Sequence, residues 1–246
     1  MNIRVYILLF FAFVTGLLAC NNKDLPQPTV AIANLAVVNA TADTLNFLVN
    51  NSRQNSFSGI YPAGAYGLYT PAGSQNYEIK KERSAINLFT GTYSLSDTSK
   101  HIYTSFFIAG ESADKTFFIT DAIDSALAVY AKDTLHIDTI AMLRFVNASY
   151  SSGSLHVVFD KGDTINIANA AYKYKSQYFK VYEGTRTIKI YPAGGSTKLL
   201  LDTTLILQSG AVYTLFAKGI LNAKGDNAFG VGLMTNGTII TATGTQ

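Results

Sequence analysis

Arg186-Thr187-Ile188-Lys189-Ile190-Tyr191 is the stretch on which the reading of the fold turns. Side chains of an extended strand alternate between two faces, so Ile188 and Ile190 share one side while Thr187, Lys189 and Tyr191 share the other. A strand that is dry on one face and wet on the other belongs to a sheet that packs against a second apolar layer. The same short alternation recurs along the chain, broken by Gly, Asn-Ala, Asp-Thr and Pro-Ala-Gly turns, and no long stretch keeps a helical period. Val, Ile, Thr, Tyr and Phe are plentiful and tryptophan is absent. The chain is therefore expected to be all-β.

An internal repeat sets the layout. Leu35-Ala36-Val37-Val38-Asn39-Ala40 parallels Leu143-Arg144-Phe145-Val146-Asn147-Ala148, Gly73–Ile79 parallels Gly184–Ile190, and Tyr103-Thr104-Ser105-Phe106 parallels Tyr213-Thr214-Leu215-Phe216, at offsets of 108, 111 and 110 residues. Order and spacing are both kept. Tyr61-Pro62-Ala63-Gly64 and Tyr191-Pro192-Ala193-Gly194, by contrast, fall at unlike places and read as turn chemistry. Each copy has the size and strand rhythm of an immunoglobulin-like β-sandwich, although the alternation alone would also serve a barrel. Two tandem immunoglobulin-like β-sandwich domains are expected, over residues 29–132 and 133–246, with the boundary near Ala131 to Asp138. No Gly/Ser linker separates them, so they should pack together rather than swing.

Upstream, Arg4 is followed by an uncharged apolar run from Val5 to Ala19, and Cys20 is the only cysteine. The run has the length of a signal-peptide core and falls short of the roughly 20 residues of a spanning helix. A lone thiol cannot form an intramolecular disulfide. Leu17-Leu18-Ala19-Cys20 resembles a bacterial lipoprotein signal, which implies residues 1–19 as signal peptide, diacylglyceryl lipidation at Cys20, and residues 20–28 as a polar, proline-bearing tether. Lys23-Asp24 partly resembles an outward-export signal. The expected place is the outer membrane, facing the exterior, with the periplasmic side as the alternative. The partners are then the membrane, through the lipid, and an envelope protein or polysaccharide. A formal net charge of +3 for the whole chain is too small and too dispersed for nucleic acid.

The second copy carries, in order, Leu143-Arg144-Phe145-Val146-Asn147-Ala148-Ser149, then Tyr172, Tyr178, Gly184-Thr185, Pro192-Ala193-Gly194, Gly210–Thr214 and Phe216-Ala217-Lys218-Gly219. In these it resembles the domain of unknown function 4397 family. Tyr150-Ser151-Ser152-Gly153 replaces the Asp-Ala-Pro turn usual after that opening. The first copy keeps Val38-Asn39-Ala40 but has Ala36 where the arginine would stand. The resemblance implies tandem envelope β-domains and no reaction.

Chemistry-bearing patterns are scarce. His101, His136 and His156 show no metal-ligand spacing, and neither a Gly-x-Ser-x-Gly elbow nor a phosphate-binding glycine loop occurs. No metal, cofactor or catalytic residue is expected. Six aspartates (43, 97, 133, 138, 163 and 202) precede threonine, which local backbone hydrogen bonding explains. Several of these steps, with Asp124-Ser125-Ala126, also resemble an acceptor motif for O-glycosylation of exported proteins.

One patch could bind a ligand. Tyr172, Tyr174, Tyr178, Lys180 and Tyr182 lie close in sequence, and if Phe179 and Val181 face the core then Tyr178, Lys180 and Tyr182 share the outer face. Exposed tyrosines beside lysines can stack on sugars or anchor a protein, or simply cover a sheet and guard its edge. Three readings follow. They are a non-enzymatic interaction or display module, a carbohydrate-binding lipoprotein serving glycan uptake, and, least supported, a glycan hydrolase, which would need two facing carboxylates.

Overall fold

The computed structural model describes residues 30–55, 57–97, 102–122, 126, 128, 139–159 and 165–238. The expected signal peptide, Cys20, the tether, His101, His136 and the 131–138 boundary lie outside them. Sixteen strands account for almost all the regular structure among these residues. The first eight are β1 (Ile32–Asn39), β2 (Leu45–Val49), β3 (Ser52–Arg53), β4 (Ala65–Pro71), β5 (Gly73–Lys81), β6 (Asn87–Leu95), β7 (Ile102–Ile108) and β8 (Thr116–Ala122). The second eight are β9 (Ile140–Asn147), β10 (Leu155–Phe159), β11 (Asn166–Ala170), β12 (Phe179–Tyr182), β13 (Gly184–Pro192), β14 (Leu201–Leu207), β15 (Ala211–Lys218) and β16 (Gly230–Thr238). The protein is all-β.

Four sheets of four strands form, and the second eight strands repeat the order of the first. Sheet A is β4-β1-β7-β8 and sheet B is β3-β2-β5-β6; sheet C is β12-β9-β15-β16 and sheet D is β11-β10-β13-β14. In A and C the first and seventh strands of each set run parallel, β1 beside β7 and β9 beside β15, while their other pairings are antiparallel.

Three apolar layers hold the sheets as a stack in the order B, A, C, D. Between B and A lie Leu35, Val37, Phe47, Tyr77, Ile79 and Phe106. Between C and D lie Leu143, Phe145, Val157, Ile188, Ile190 and Leu215, with Ile188 and Ile190 fully buried as their alternation requires. Between A and C lie Val38, Phe107, Ile119, Val146, Phe216 and Met234, and here Phe107 and Phe216 meet edge to face at 5.8 Å. Burying one such ring stabilises by about 1.5–3 kcal/mol. Sheets A and C are thus covered on both faces along much of their length. This explains why β9 is buried at every position, with Arg144 and Asn147 as its two polar side chains, unlike β13 with its wet face.

The Val-Asn-Ala motif has a structural job. Asn39 and Asn147 are fully buried where β1 and β9 end. Asn39 Nδ2 donates to the carbonyls of Ile60 (2.8 Å) and Asp43, while its Oδ1 accepts from the amide of Thr41 at 2.9 Å. Asn147 Nδ2 donates to the carbonyl of Ala170 (2.9 Å), and its Oδ1 accepts from the amide of Ser149 at 3.0 Å. Each amide ties a loop to the strand that launches it. Ile60 and Ala170 lie 110 residues apart, in keeping with the repeat spacing.

One pairing expected from sequence is corrected. Leu35 lies opposite Thr104, whereas its counterpart Leu143 lies opposite Tyr213. Thr104, not Tyr103, therefore occupies the place of Tyr213, and the offset for this strand is 109. A slip of one residue reverses the face. Tyr213 enters the C–D core, and Tyr103 turns to the other side of sheet A.

Candidate functional site

The tyrosines singled out from sequence do not form an exposed row. The parity is as expected, since Val181 is buried in the C–D core and Phe179 packs against it. The outer face of sheet C is nevertheless covered at this point. Tyr178 is only 9% exposed and packs with Ala126, Ile140, Met142 and Val212. The Arg144 guanidinium lies 5.1 Å from its ring centre, and burial pushes its phenol above the ordinary range. Tyr172 packs edge to face on Phe117 at 5.8 Å, beside the A–C layer. Its hydroxyl is buried with no hydrogen-bond partner, and burial raises its pKa to about 12. Tyr174 is half-buried against the C–D core, and Lys180 is half-buried too. Tyr182 alone stays exposed, at 40%, with the Arg186 guanidinium 5.8 Å from its ring. Alternation correctly gave the faces, but the sequence did not show that a second layer would close over one of them.

Among the described residues, Arg144 is the largest fully buried side chain. Its Nε donates to Thr214 Oγ1 at 2.8 Å, and that hydroxyl donates to Asn236 Oδ1 at 2.6 Å. Its Nη2 reaches Ser105 Oγ across the A–C layer at 3.5 Å, and desolvation lowers its pKa. Tyr178, Arg144 and Thr214 so form a filled row on sheet C.

The corresponding row on sheet A is small. Ala36 stands three residues before Asn39, as Arg144 does before Asn147, and its neighbours across the ladder are Gly67 on β4 and Ser105 on β7. Over this row a cleft of about 260 Å³ opens between sheet A and the end of β16. The next row, Tyr69-Asn34-Tyr103, forms its outer rim on sheet A, while Thr235 and Asn236 form the facing wall. Tyr69 is 75% exposed. None of the ten residues that line this cleft is an acid, a lysine, an arginine or a histidine. Sequence reasoning noted Ala36 as a departure, and that departure was the available signal. It could not show that the missing side chain leaves a space.

A second cleft, about 180 Å³, lies at the loop end of the A–C layer. Its charges answer one another. Lys81 Nζ meets Asp43 Oδ2 at 3.0 Å and Glu111 Oε1 at 2.8 Å, contacts that raise the lysine pKa, with the Glu111 contact contributing most. Lys115 sits 4.3 Å from the centre of the Tyr150 ring. Among the described residues, no three His, Cys, Asp or Glu side chains gather as a metal site would require. His156 is engaged with Asn166 Oδ1 at 2.7 Å. Of the Asp-Thr steps, Thr139 is exposed and Thr44 and Thr203 are half-buried.

Residues 141–244 match the family model described as a domain of unknown function, DUF4397. That segment is similar to the DUF4397 family. Within the matched segment, Arg144 reaches from sheet C to Ser105 on sheet A, and Asn147 clamps a loop. The family assigns no reaction. No curated protein matches the chain in sequence.

Among solved structures, the chain is similar to a family 26 carbohydrate-binding module from Eubacterium rectale Amy13K, determined in complex with maltoheptaose. The identity is 8%, coverage is 83% of this chain and 97% of that one, and the TM-score is 0.25. It is similar to the Bacillus anthracis TIE protein at 10% identity, over 76% of this chain and 34% of that one, with a TM-score of 0.24. A candidate cell-adhesion protein from Bacteroides eggerthii gives 10% identity, 83% and 95% coverage, and a TM-score of 0.20. Likenesses this loose carry no argument about ligand or role.

Proposed function

We propose that this protein is a non-enzymatic binding module of the bacterial cell envelope, held at the outer membrane by lipid on Cys20 and facing the exterior. The observation that carries the binding role is the cleft over Gly67, Ala36 and Ser105, an uncharged concavity with tyrosines at its rim. Two or more acyl chains on one cysteine hold a protein at a membrane where a single chain would bind marginally. The stacked sheets behind the cleft keep its walls fixed, which favours recognition over induced closure.

Growth with an alkyne-tagged fatty acid tests the anchor. The full chain should take up label and fractionate with outer membranes, and surface protease should reach it on intact cells. Cys20→Ser should lose the label and the membrane association together. A Cys20→Ser chain that stays in the membrane fraction, or a wild-type chain without label, would overturn the reading.

A further inference from the structure

We infer that the cleft between sheet A and β16 is a binding site for a single neutral sugar unit. This rests on the binding-module reading and names its ligand class.

The cleft exists because one row of side chains is small. On sheet C the row Tyr178-Arg144-Thr214 is filled by a stacked phenol, a guanidinium and a hydroxyl. On sheet A the matching row is Gly67-Ala36-Ser105. Packing alone would fill such a gap, because empty space beside a folded layer forfeits contacts. An added Cβ on Gly67 would meet nothing within 4 Å, so the position is open for lack of a side chain and not because the backbone demands glycine.

The lining then selects the ligand. Neighbouring strands are roughly 4.8 Å apart, so Tyr69 and Tyr103, one strand to either side of Asn34, stand roughly 10 Å apart at their backbones. That spacing lets two phenol rings flank one flat, C–H-bearing ring. A volume of about 260 Å³ lies below the range of roughly 300–1,000 Å³ usual for drug-sized ligands, which suits one pyranose and not a buried chain. Hydrogen bonding is provided by side chains that both donate and accept. Asn34 and Asn236 offer amides, and Ser105, Thr235 and Tyr103 offer hydroxyls. Asn236 is oriented from behind, since Arg144 can only donate and its chain through Thr214 ends on Asn236 Oδ1. The amide nitrogen of Asn236 is thereby turned away from that chain, as a donor for a ligand hydroxyl. No lining side chain is ionised, and the Arg144 guanidinium behind the wall is engaged with Thr214, Ser105 and Tyr178, so a uronate, sulfate or phosphate would lose hydration without a free counter-charge in the cleft.

The test is equilibrium binding of the full chain in detergent to an array of neutral, uronate-bearing and sulfated oligosaccharides. Neutral glycans should bind, and Gly67→Leu and Tyr69→Ala should each weaken that binding at least tenfold with unchanged melting temperature. Ala36→Arg should abolish it by rebuilding the filled row. Binding that survives Gly67→Leu and Tyr69→Ala would overturn the site. Preference for charged glycans, or no binding to any glycan, would overturn the ligand class. Fatty-acid labelling at Cys20 involves no glycan, so the anchored-module reading stands or falls separately.

Discussion

Asn39 and Asn147, 108 residues apart in sequence, perform one task twice, each with its amide buried and shared between a loop carbonyl and a loop amide. Replacing either by alanine strands several buried backbone groups at once. A cost of about 3 kcal/mol is expected for Asn39→Ala or Asn147→Ala. Asp should be no better, since a carboxylate cannot donate to the carbonyls of Ile60 or Ala170. Urea unfolding, read as a shift in midpoint at constant slope, checks both.

The A–C layer should make the stack unfold as one. Phe107 and Phe216 are its central rings. Phe107→Ala or Phe216→Ala should each cost roughly 3–5 kcal/mol. Calorimetry of the wild type should show a single transition, and these variants should show two, as the B–A and C–D pairs melt independently.

Alkaline pH should destabilise the protein through its buried phenols. Tyr77 lies in the B–A core with no hydrogen-bond partner for its hydroxyl, and burial raises its pKa from 10.0 to about 12. Its neutral form is favoured in the folded state, so the stabilisation is fully present below pH 10 and is lost as pH rises through about 12. Tyr172 acts in the same direction and window. Tyr77→Phe should leave stability at pH 7 unchanged or improved, because it removes an unpaired buried hydroxyl, and should flatten the fall above pH 10. Denaturant midpoints measured from pH 7 to 12 give the comparison.

Two glycines should respond oppositely to alanine. Gly219 has φ +75°, and an added Cβ would collide with the backbone carbonyl of Ala228. Gly67 faces open space. Gly219→Ala should therefore cost about 2 kcal/mol or more, while Gly67→Ala should be neutral or slightly stabilising through the unfolded chain. Thermal melts of the two variants separate the cases.

Arg144 is held by geometry that lysine cannot copy, with Nε on Thr214, Nη2 near Ser105 and the planar group against Tyr178. Arg144→Lys should destabilise nearly as much as Arg144→Met, by about 2–3 kcal/mol, as measured by chemical denaturation. It should also weaken any ligand bound through Asn236.

Periodicity and repetition within the sequence determined much of this protein. The alternation at Ile188 and Ile190 gave a sheet with one dry face, and the spacing of the two Asn-Ala motifs gave a strand order used twice. Both are local properties, since a strand's period is fixed by its own backbone. What the sequence could not show was which outer faces would meet. Val38, Phe107, Val146 and Phe216 lie in four strands far apart in the chain, and only the docking of sheet A on sheet C makes them a layer. Alternation had placed Tyr178 outside, but Ala126 and the Arg144 guanidinium cover it, and a one-residue slip in the ladder turned Tyr103 toward the cleft. Ala36 was legible as a missing arginine. The tertiary structure made it a cavity, because a small side chain leaves a space only where a second surface closes over it.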